Sequence, residues 1–180
     1  MPVTAGFLSL FISPVTAGFL SPSGPLAGLM PASFQLPQGR NVILYDGVCN
    51  FCNRWVNFVI ANDPQGRFCF ASMQSAVGKE ILRECGRPDN DLSTFVLVDS
   101  DGFWTQSTAA LRVARGLKPA ALNTMGISLL SIPPFVRDTV YRVVADNRYS
   151  ILGRSDEGPP PCQLRDDIST VKERMLDFDE

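Results

Sequence analysis

The chain has 180 residues, of which 45% are hydrophobic and 19% are charged, and its formal net charge is −2. This composition is that of a folded protein with room for one domain and some surplus, and it excludes a disordered chain and a strongly basic nucleic-acid binder. Histidine is absent from the sequence, which excludes nucleophiles activated by imidazole and zinc sites with imidazole ligands.

The first 39 residues form an extension that carries no charged side chain. The octapeptide PVTAGFLS occurs in it twice, at 2–9 and at 14–21, among many prolines and glycines. We expect this extension to lie outside the folded domain, either as a disordered segment or as a targeting sequence without the usual basic residues. Its prolines interrupt every 20-residue span, so no transmembrane segment is expected there.

The use of cysteine bears on the compartment. Five cysteines are present, at positions 49, 52, 69, 85 and 162. An odd number with one close pair is not the pattern of a small secreted disulfide framework. The sequence therefore predicts an intracellular, mostly reduced protein, cytoplasmic by default, with a plastid or a mitochondrion as the alternative if residues 1–39 are a targeting segment.

Strands and helices alternate in the pattern that follows the extension. The apolar run 41–46 predicts a buried strand, and apolar residues at three- and four-residue steps predict a helix from about 47–49 to Asn62. Residues 67–73 alternate like a strand, with Phe68 and Phe70 on one face and Cys69 on the other. A second helix is predicted from Ser75 to Cys85, closed by Gly86.

A hairpin and a third helix complete the predicted domain. Residues 93–99 read as a strand, Asp99-Ser100-Asp101-Gly102 as a tight turn, and 103–106 as the returning strand. A helix follows to Gly116. The order strand, helix, strand, helix, hairpin, helix predicts an α/β domain, a small mixed sheet with helices on both faces, with the connectivity of the thioredoxin fold.

The C-terminal third predicts extra helices. Residues 119–136 carry no charge and read as an apolar helical layer over the sheet. Residues 134–147 read as an amphipathic helix with an apolar stripe. The stripe consists of Val136, Val140, Val143 and Val144. We therefore divide the chain into the extension 1–39, a domain at 40–165 and a polar tail at 166–180.

The stretch YDGVCNFC places two cysteines three residues apart where the first strand gives way to the first helix. Cys49 is expected in the first helical turn, where free N–H groups and the helix dipole stabilise a thiolate. Cys52 lies one turn further, within reach of a disulfide. This arrangement favours thiol-disulfide exchange, with Cys49 as the outer nucleophile and Cys52 as the inner resolving thiol.

Asp46 precedes the pair, and two roles fit its position. It could cap the helix by accepting a backbone hydrogen bond, or it could exchange the proton of Cys52 during resolution. Its charge opposes thiolate formation at Cys49, so the dipole and the N–H donors must outweigh it. The partner is then a protein or small-molecule disulfide or thiol, and no bound cofactor is predicted.

Two alternatives compete with the redox interpretation. A metal site would need ligands beyond the pair, and without a second CxxC we predict no metal. A catalytically idle module that binds a protein partner is the other alternative, because a fold does not fix a function. Cys69 and Cys85 are interpreted as small buried hydrophobes, and Cys162 as a candidate third thiol.

The motif Asp46-x-x-Cys49-x-x-Cys52 resembles that of the DCC family of thiol-disulfide oxidoreductase-like proteins. Further similar segments are FASMQS (70–75), STAAL (107–111), PPFVRDTVY (133–141) and NRY (147–149). The resemblance covers about residues 41–165 and implies a thioredoxin-like fold with a disulfide oxidoreductase activity. The cis-proline that thioredoxins place before their third strand has no counterpart in the stretch 91–94.

Charged residues in these shared segments receive a structural interpretation. We expect Arg137, Asp138 and the segment Asn147-Arg148-Tyr149 to take part in ion pairing on the helix surface and in tertiary anchoring, with a part in closing over the cysteine pair as the alternative. Arg54 is expected to be a solvated helix residue and Trp55 a core residue.

Overall fold

The structure is a computed structural model that describes residues 27–30, 35–154 and 168–177. The repeated octapeptide of the extension and Cys162 lie outside the described residues, so the predictions made for them stay predictions.

In the part of the chain that the structure describes, five strands form one mixed sheet in the order β1-β5-β4-β2-β3. They are β1 (Ala27–Gly28), β2 (Asn41–Tyr45), β3 (Phe68–Ser72), β4 (Val96–Asp99) and β5 (Gly102–Thr105). β2 and β3 run parallel, with Leu44 beside Ala71, whereas β2 with β4, β4 with β5, and β1 with β5 are antiparallel. The chain reaches β3 from β2 through a helix, as parallel neighbours require.

Six α-helices of the described ranges accompany the sheet. They are α1 (Asn50–Asn62), α2 (Ala76–Glu84), α3 (Gln106–Gly116), α4 (Ala120–Leu130), α5 (Pro134–Leu152) and α6 (Ile168–Arg174). Apolar residues of α1 and α3 pack on one face of the sheet, and those of α2 pack on the other. The prediction of a mixed α/β sheet with helices on both faces, thioredoxin-like with extra helices, is confirmed.

Alternation along the strands divides the core into two clusters, as the period of two predicts. Phe68 and Phe70 lie in the cluster beneath α1 and α3, whereas Cys69 lies in the cluster beneath α2. The predicted faces of β3 are therefore confirmed. Ser75 caps α2 by accepting from Gly78 N at 3.0 Å, and Gly86 ends it with φ of +65°.

The prediction that α4 covers the sheet is wrong. α4 packs on α3 instead, and Gly126 makes the approach close: a Cβ there would stand 2.8 Å from the Leu111 carbonyl oxygen. One helix therefore separates α4 from the sheet.

The predicted amphipathic helix is present as α5, and its apolar stripe is not buried. Val136, Val140, Val143 and Val144 are all exposed, Val140 to 67%. Along the whole of α5, which lies within the described part of the chain, no residue is buried. α5 is held instead by polar contacts at its start, where Ser107 donates to Asp138 and Arg137 Nη1 donates to Ser107 Oγ at 3.0 Å. Arg137 and Asp138 thus anchor α5 to α3.

Both ends of the described chain extend the domain beyond its predicted boundaries. β1 comes from the extension and pairs with β5. In the segment predicted as a polar tail, Val171 is fully buried, and Arg174 forms a buried ion pair with Asp63. Leu176 N donates to Phe70 O at 2.8 Å. The charged residues that suggested a tail therefore include one whose charge is paired inside the protein.

None of the helices formed by the described residues has both the length and the apolar character that crossing a membrane demands.

Candidate active site

The cysteine pair lies at the start of α1, at the end of β2. Cys49 is the N-cap residue of α1, and its Sγ accepts a hydrogen bond from Cys52 N at 3.3 Å. Asn53 fixes the turn before the helix, because its Nδ2 donates to Gly47 O at 3.0 Å. Gly47 is needed here, since a Cβ would stand 2.7 Å from Ser72 Oγ. The sulfur of Cys49 is therefore held against an amide group of the first helical turn.

The surroundings favour a thiolate on Cys49. The pKa of Cys49 is lowered to about 6, chiefly because the Cys52 thiol donates a hydrogen bond to it, with Cys52 N and the Arg148 guanidinium adding to the effect. Burial and the charge of Asp46 act in the opposite direction. The pKa of Cys52 is raised well above its ordinary value, because its proton is shared with Cys49 and because it is desolvated. One sulfur is thus anionic at neutral pH and the other holds the proton.

The exposure of the two cysteines is the reverse of what was expected, because Cys49 was predicted to be the outer thiol and Cys52 the inner one. Cys49 is fully buried, whereas Cys52 is partly exposed. The backbone of Arg154 forms an isolated antiparallel bridge with Cys49, and Asn50 Nδ2 donates to Leu152 O at 3.2 Å. The end of α5 and the residues after it therefore lie over the start of α1. We call residues 152–154 the covering segment.

Asp46 is a buried carboxylate, 3% exposed, with donors on several sides. Its Oδ1 accepts from Val48 N at 3.2 Å and from Gln74 Nε2 at 2.7 Å. Its Oδ2 accepts from the hydroxyl of Tyr149. Because Cys49 occupies the N-cap position, the interpretation of Asp46 as the helix cap is wrong. Asp46 shapes the preceding turn and places a negative charge near both cysteines.

Arg148 and Tyr149, which were expected chiefly to anchor the helix, reach this site from α5. Arg148 Nη2 lies 3.6 Å from Asp46 Oδ2 and donates to Leu92 O at 2.7 Å. Gln74, two residues after β3, also accepts from Gly47 N at 3.0 Å, and the sequence pattern indicated no role for it. The NRY segment was visible only as part of the family resemblance, because nothing local in it indicates a contact with Asp46.

A pocket of about 230 Å³ opens beside Cys52. It lies between α1, the residues before β4, and α5. Its lining consists of Tyr45, Asp46, Phe51, Cys52, Trp55, Leu92, Ser93, Thr94, Phe95, Ala110, Val140, Tyr141, Val144, Ala145 and Arg148. Trp55 packs against Phe95 with ring centroids 4.6 Å apart. Trp55 is therefore both a core neighbour and a pocket wall, and Cys52, not Cys49, is the cysteine that lines this space.

The two other described cysteines, Cys69 and Cys85, have packing roles. Burial raises the pKa of Cys69 to about 11 and that of Cys85 to about 12, so both thiols stay protonated.

Other expectations concern Arg54, the cis-proline and a metal. Arg54 is exposed, as a solvated helix residue should be. In the described ranges the cis peptide bond is Lys118–Pro119, so the stretch 91–94 holds no cis bond. Across those same ranges, no three potential ligands among Cys, Asp and Glu come together to hold a metal ion.

Fold and site together define a thioredoxin-like domain with a CxxC pair at a helix N-terminus. Residues 43–154 match the model of the DCC1-like thiol-disulfide oxidoreductase family, and the chain belongs to that family. It is 38% identical to the Bacillus subtilis (strain 168) protein YuxK, described as uncharacterized, over 80% of this chain and 98% of that protein. It is also 38% identical to a chloroplastic DCC family protein of Arabidopsis thaliana, over 74% of each chain. No solved structure matches the chain.

Proposed function

We propose that this chain is a thiol-disulfide oxidoreductase that works through Cys49 and Cys52. The Cys49 thiolate attacks one sulfur of a substrate disulfide, forms a mixed disulfide and releases the other sulfur as a thiolate. Cys52 then loses its proton and attacks the Cys49 sulfur, so that the Cys49–Cys52 disulfide forms and the second substrate thiol leaves. The substrate gains two electrons and the pair loses two. An external dithiol restores the pair, and the reverse sequence oxidises a substrate dithiol.

The observation that carries the proposal is the asymmetry of the pair. A thiol with a pKa of about 6 is largely ionised at neutral pH, and its neighbour keeps the proton that resolution must remove. Asp46 is the nearby carboxylate that can receive this proton, since its charge acts on both sulfurs. Gln74 and Tyr149 hold its two oxygens in place. They are positioning residues in this proposal.

Attack by Cys49 requires access, because this sulfur is fully buried. The covering segment rests on α1 through the Arg154 bridge and the Asn50–Leu152 hydrogen bond. In the proposed cycle this segment separates from Cys49 before substrate enters, while Cys52 is reached directly from the pocket.

Trapping tests the proposal and the order of attack together. Cys52→Ser should accumulate a mixed disulfide on Cys49, detected by mass spectrometry, and Cys49→Ser should abolish turnover in an insulin-reduction assay. Cys85→Ala, which removes a packed thiol on the opposite face of the sheet, is the control and should turn over normally. Trapping on Cys52 in the Cys49→Ser variant would reverse the assigned order. Wild-type turnover in both variants would overturn the proposal.

The full burial of Cys49 favours a second candidate function, a thioredoxin-like module that binds a partner without redox turnover. The two candidates differ in reactivity. An active pair alkylates fast at neutral pH and cycles between disulfide and dithiol with dithiothreitol. A binding module that keeps Cys49 covered does neither, although it still binds its partner.

The compartment is proposed to be intracellular, and the relative described as chloroplastic makes a plastid a specific alternative to the cytoplasm. The charge-free segment 1–39 is the part of the sequence that would carry such an address. Expression of the chain with and without residues 1–39, each fused to a fluorescent protein at its C-terminus, distinguishes the two. Plastid fluorescence that depends on the segment supports the alternative.

A further inference from the structure

The pocket beside Cys52 has the character of a recognition site for one apolar group. Aromatic and aliphatic side chains form most of its wall, among them Phe51, Trp55, Phe95 and Val140. Its volume of about 230 Å³ exceeds the roughly 150 Å³ of an engineered apolar cavity that accepts benzene. It is smaller than the ~300–1,000 Å³ typical of pockets for whole small-molecule ligands. A phenyl or branched aliphatic group fits this space.

The charged residues of the pocket do not offer a site for a charged ligand. Arg148 lies 3.6 Å from Asp46, and its guanidinium also donates to the carbonyls of Leu92 and Ala145. Asp46 accepts from Gln74 and Tyr149. The charges of Arg148 and Asp46 are therefore already paired with other groups of the protein. A small anionic disulfide such as oxidised glutathione would have to desolvate its carboxylates here without gaining a free cation.

The position of the pocket identifies what would occupy it. Cys52 forms part of its wall, so any group that fills the pocket lies against a residue of the exchanging pair. The apolar surface does not end at the rim: Val140 and Val144 are exposed, and Val136 and Phe135 continue along α5 by one further turn. A pocket that holds one side chain, next to an exposed apolar surface, suits a polypeptide. The polypeptide supplies one side chain for the pocket and neighbouring residues for the surface.

We propose that this pocket selects protein substrates in which the reacting cysteine is flanked by a large apolar residue, whose side chain enters the pocket while the cysteine meets the pair. The inference rests on the proposed oxidoreductase function for its substrate, but the binding step does not depend on turnover. Filling an apolar pocket with a side chain of this size discriminates substrates by about tenfold or more.

Two peptide disulfides that differ at one position test the selection. One has Phe next to its cysteine and the other has Ser, and kcat/KM is measured for each. Wild type should prefer the Phe peptide by about tenfold. Val140→Gln places a neutral polar group at the rim and should reduce this preference severalfold without changing the charge near the cysteines. Ala145→Phe, which fills the pocket from its α5 wall, should abolish the preference.

Val143→Gln is the matched control. Val143 lies on the same helix and is exposed to 61%, close to the 67% of Val140, but it does not line the pocket. This variant should keep the full preference for the Phe peptide. Circular dichroism of each variant checks that α5 still forms.

A second measurement separates this inference from the proposed function. The Phe and Ser peptides are S-methylated, so that no exchange can occur, and their binding is followed by calorimetry. Tighter binding of the Phe peptide, weakened in Val140→Gln and not in Val143→Gln, supports the pocket even if neither disulfide turns over, in which case the oxidoreductase proposal alone fails. Turnover without preference, equal binding of the two peptides, or an equal effect of the two valine substitutions overturns the inference.

Discussion

The sheet with its packed helices and the helix α5 are stabilised in different ways. The strands and α1 bury fully enclosed side chains such as Ile43, Val56 and Phe70, whereas no residue of α5, all of it described, is buried. Yet α5 supplies Arg148 and Tyr149 to Asp46, and its end covers Cys49. Burial of apolar area fixes the first region, and polar contacts hold the second. The less buried region is therefore the one suited to moving at the site.

The largest effect that separates the two regions should come from the ion pair inside the core. Arg174→Ala removes the partner of Asp63, a carboxylate that is 2% exposed, and leaves its charge uncompensated. Such a loss costs about 3–5 kcal/mol. On α5, Arg137→Ala removes a contact with Ser107 at the partly buried helix start and should cost about 1 kcal/mol. Chemical denaturation of both variants measures the difference, and equal losses would contradict the comparison.

The second effect concerns the thiolate that the core positions. Cys52→Ala removes the thiol donor and should raise the pKa of Cys49 from about 6 towards its ordinary value. The pH dependence of the iodoacetamide reaction rate reports this pKa, and the inflection should disappear in Cys49→Ser. An inflection that stays near 6 in Cys52→Ala would show that the helix amides and Arg148, and not the neighbouring thiol, set the pKa.

The same shift links stability to pH. Because the pKa of Cys49 is lower in the folded chain, the unfolded chain binds more protons between about 6 and the ordinary value of 9.0. The free energy of unfolding of wild type, relative to Cys49→Ser, should therefore rise with pH across this window and lose this contribution as pH falls through 6. Urea titrations of both proteins at several pH values measure it, and parallel curves would contradict it.

Much of the core could be predicted from sequence because its signals are local. The alternation of Phe68, Cys69 and Phe70 assigned their faces, and Ser75 with Gly86 marked the ends of α2. The valines of α5 show the limit of such signals. Periodicity reveals that one side of a helix is apolar, but it does not reveal what covers that side.

The site was predictable in its motif and not in its surroundings. The position of Asp46, Cys49 and Cys52 at a strand-to-helix junction could be predicted, because an apolar run meets a helical pattern there. Gln74 and Tyr149, however, lie 28 and 103 residues from Asp46. Only the fold brings them together, and no pattern near Cys49 indicates that the covering segment returns to bury it.

A smaller effect tests whether α5 belongs to the site. Tyr149→Phe removes a donor to Asp46 and should slow the resolution step, because the carboxylate that receives the Cys52 proton loses one of its anchors. Tyr141→Phe is the comparison variant: Tyr141 lines the same pocket and its hydroxyl contacts Thr94 at 2.7 Å, but its loss leaves the partners of Asp46 intact. Each lost hydrogen bond costs about 1–2 kcal/mol. The rate at which the second thiol is released, measured by stopped flow, is compared between the two variants. A purely structural role of Tyr149 predicts equal rates.

The smallest effect is expected where the end of α5 contacts the start of α1. Asn50→Ala removes the hydrogen bond to Leu152 O, which helps hold the covering segment over Cys49. Losing about 1 kcal/mol from the closed state should raise alkylation of Cys49 about fivefold at pH 7.5. Asn62→Ala deletes a similar side-chain bond, to Phe58 O at the far end of α1, and should leave the rate unchanged. A faster alkylation rate with an unshifted pH inflection means better access to Cys49. A shifted inflection means that Asn50 acts on the thiolate itself, and the covering segment is then not what limits the alkylation of Cys49.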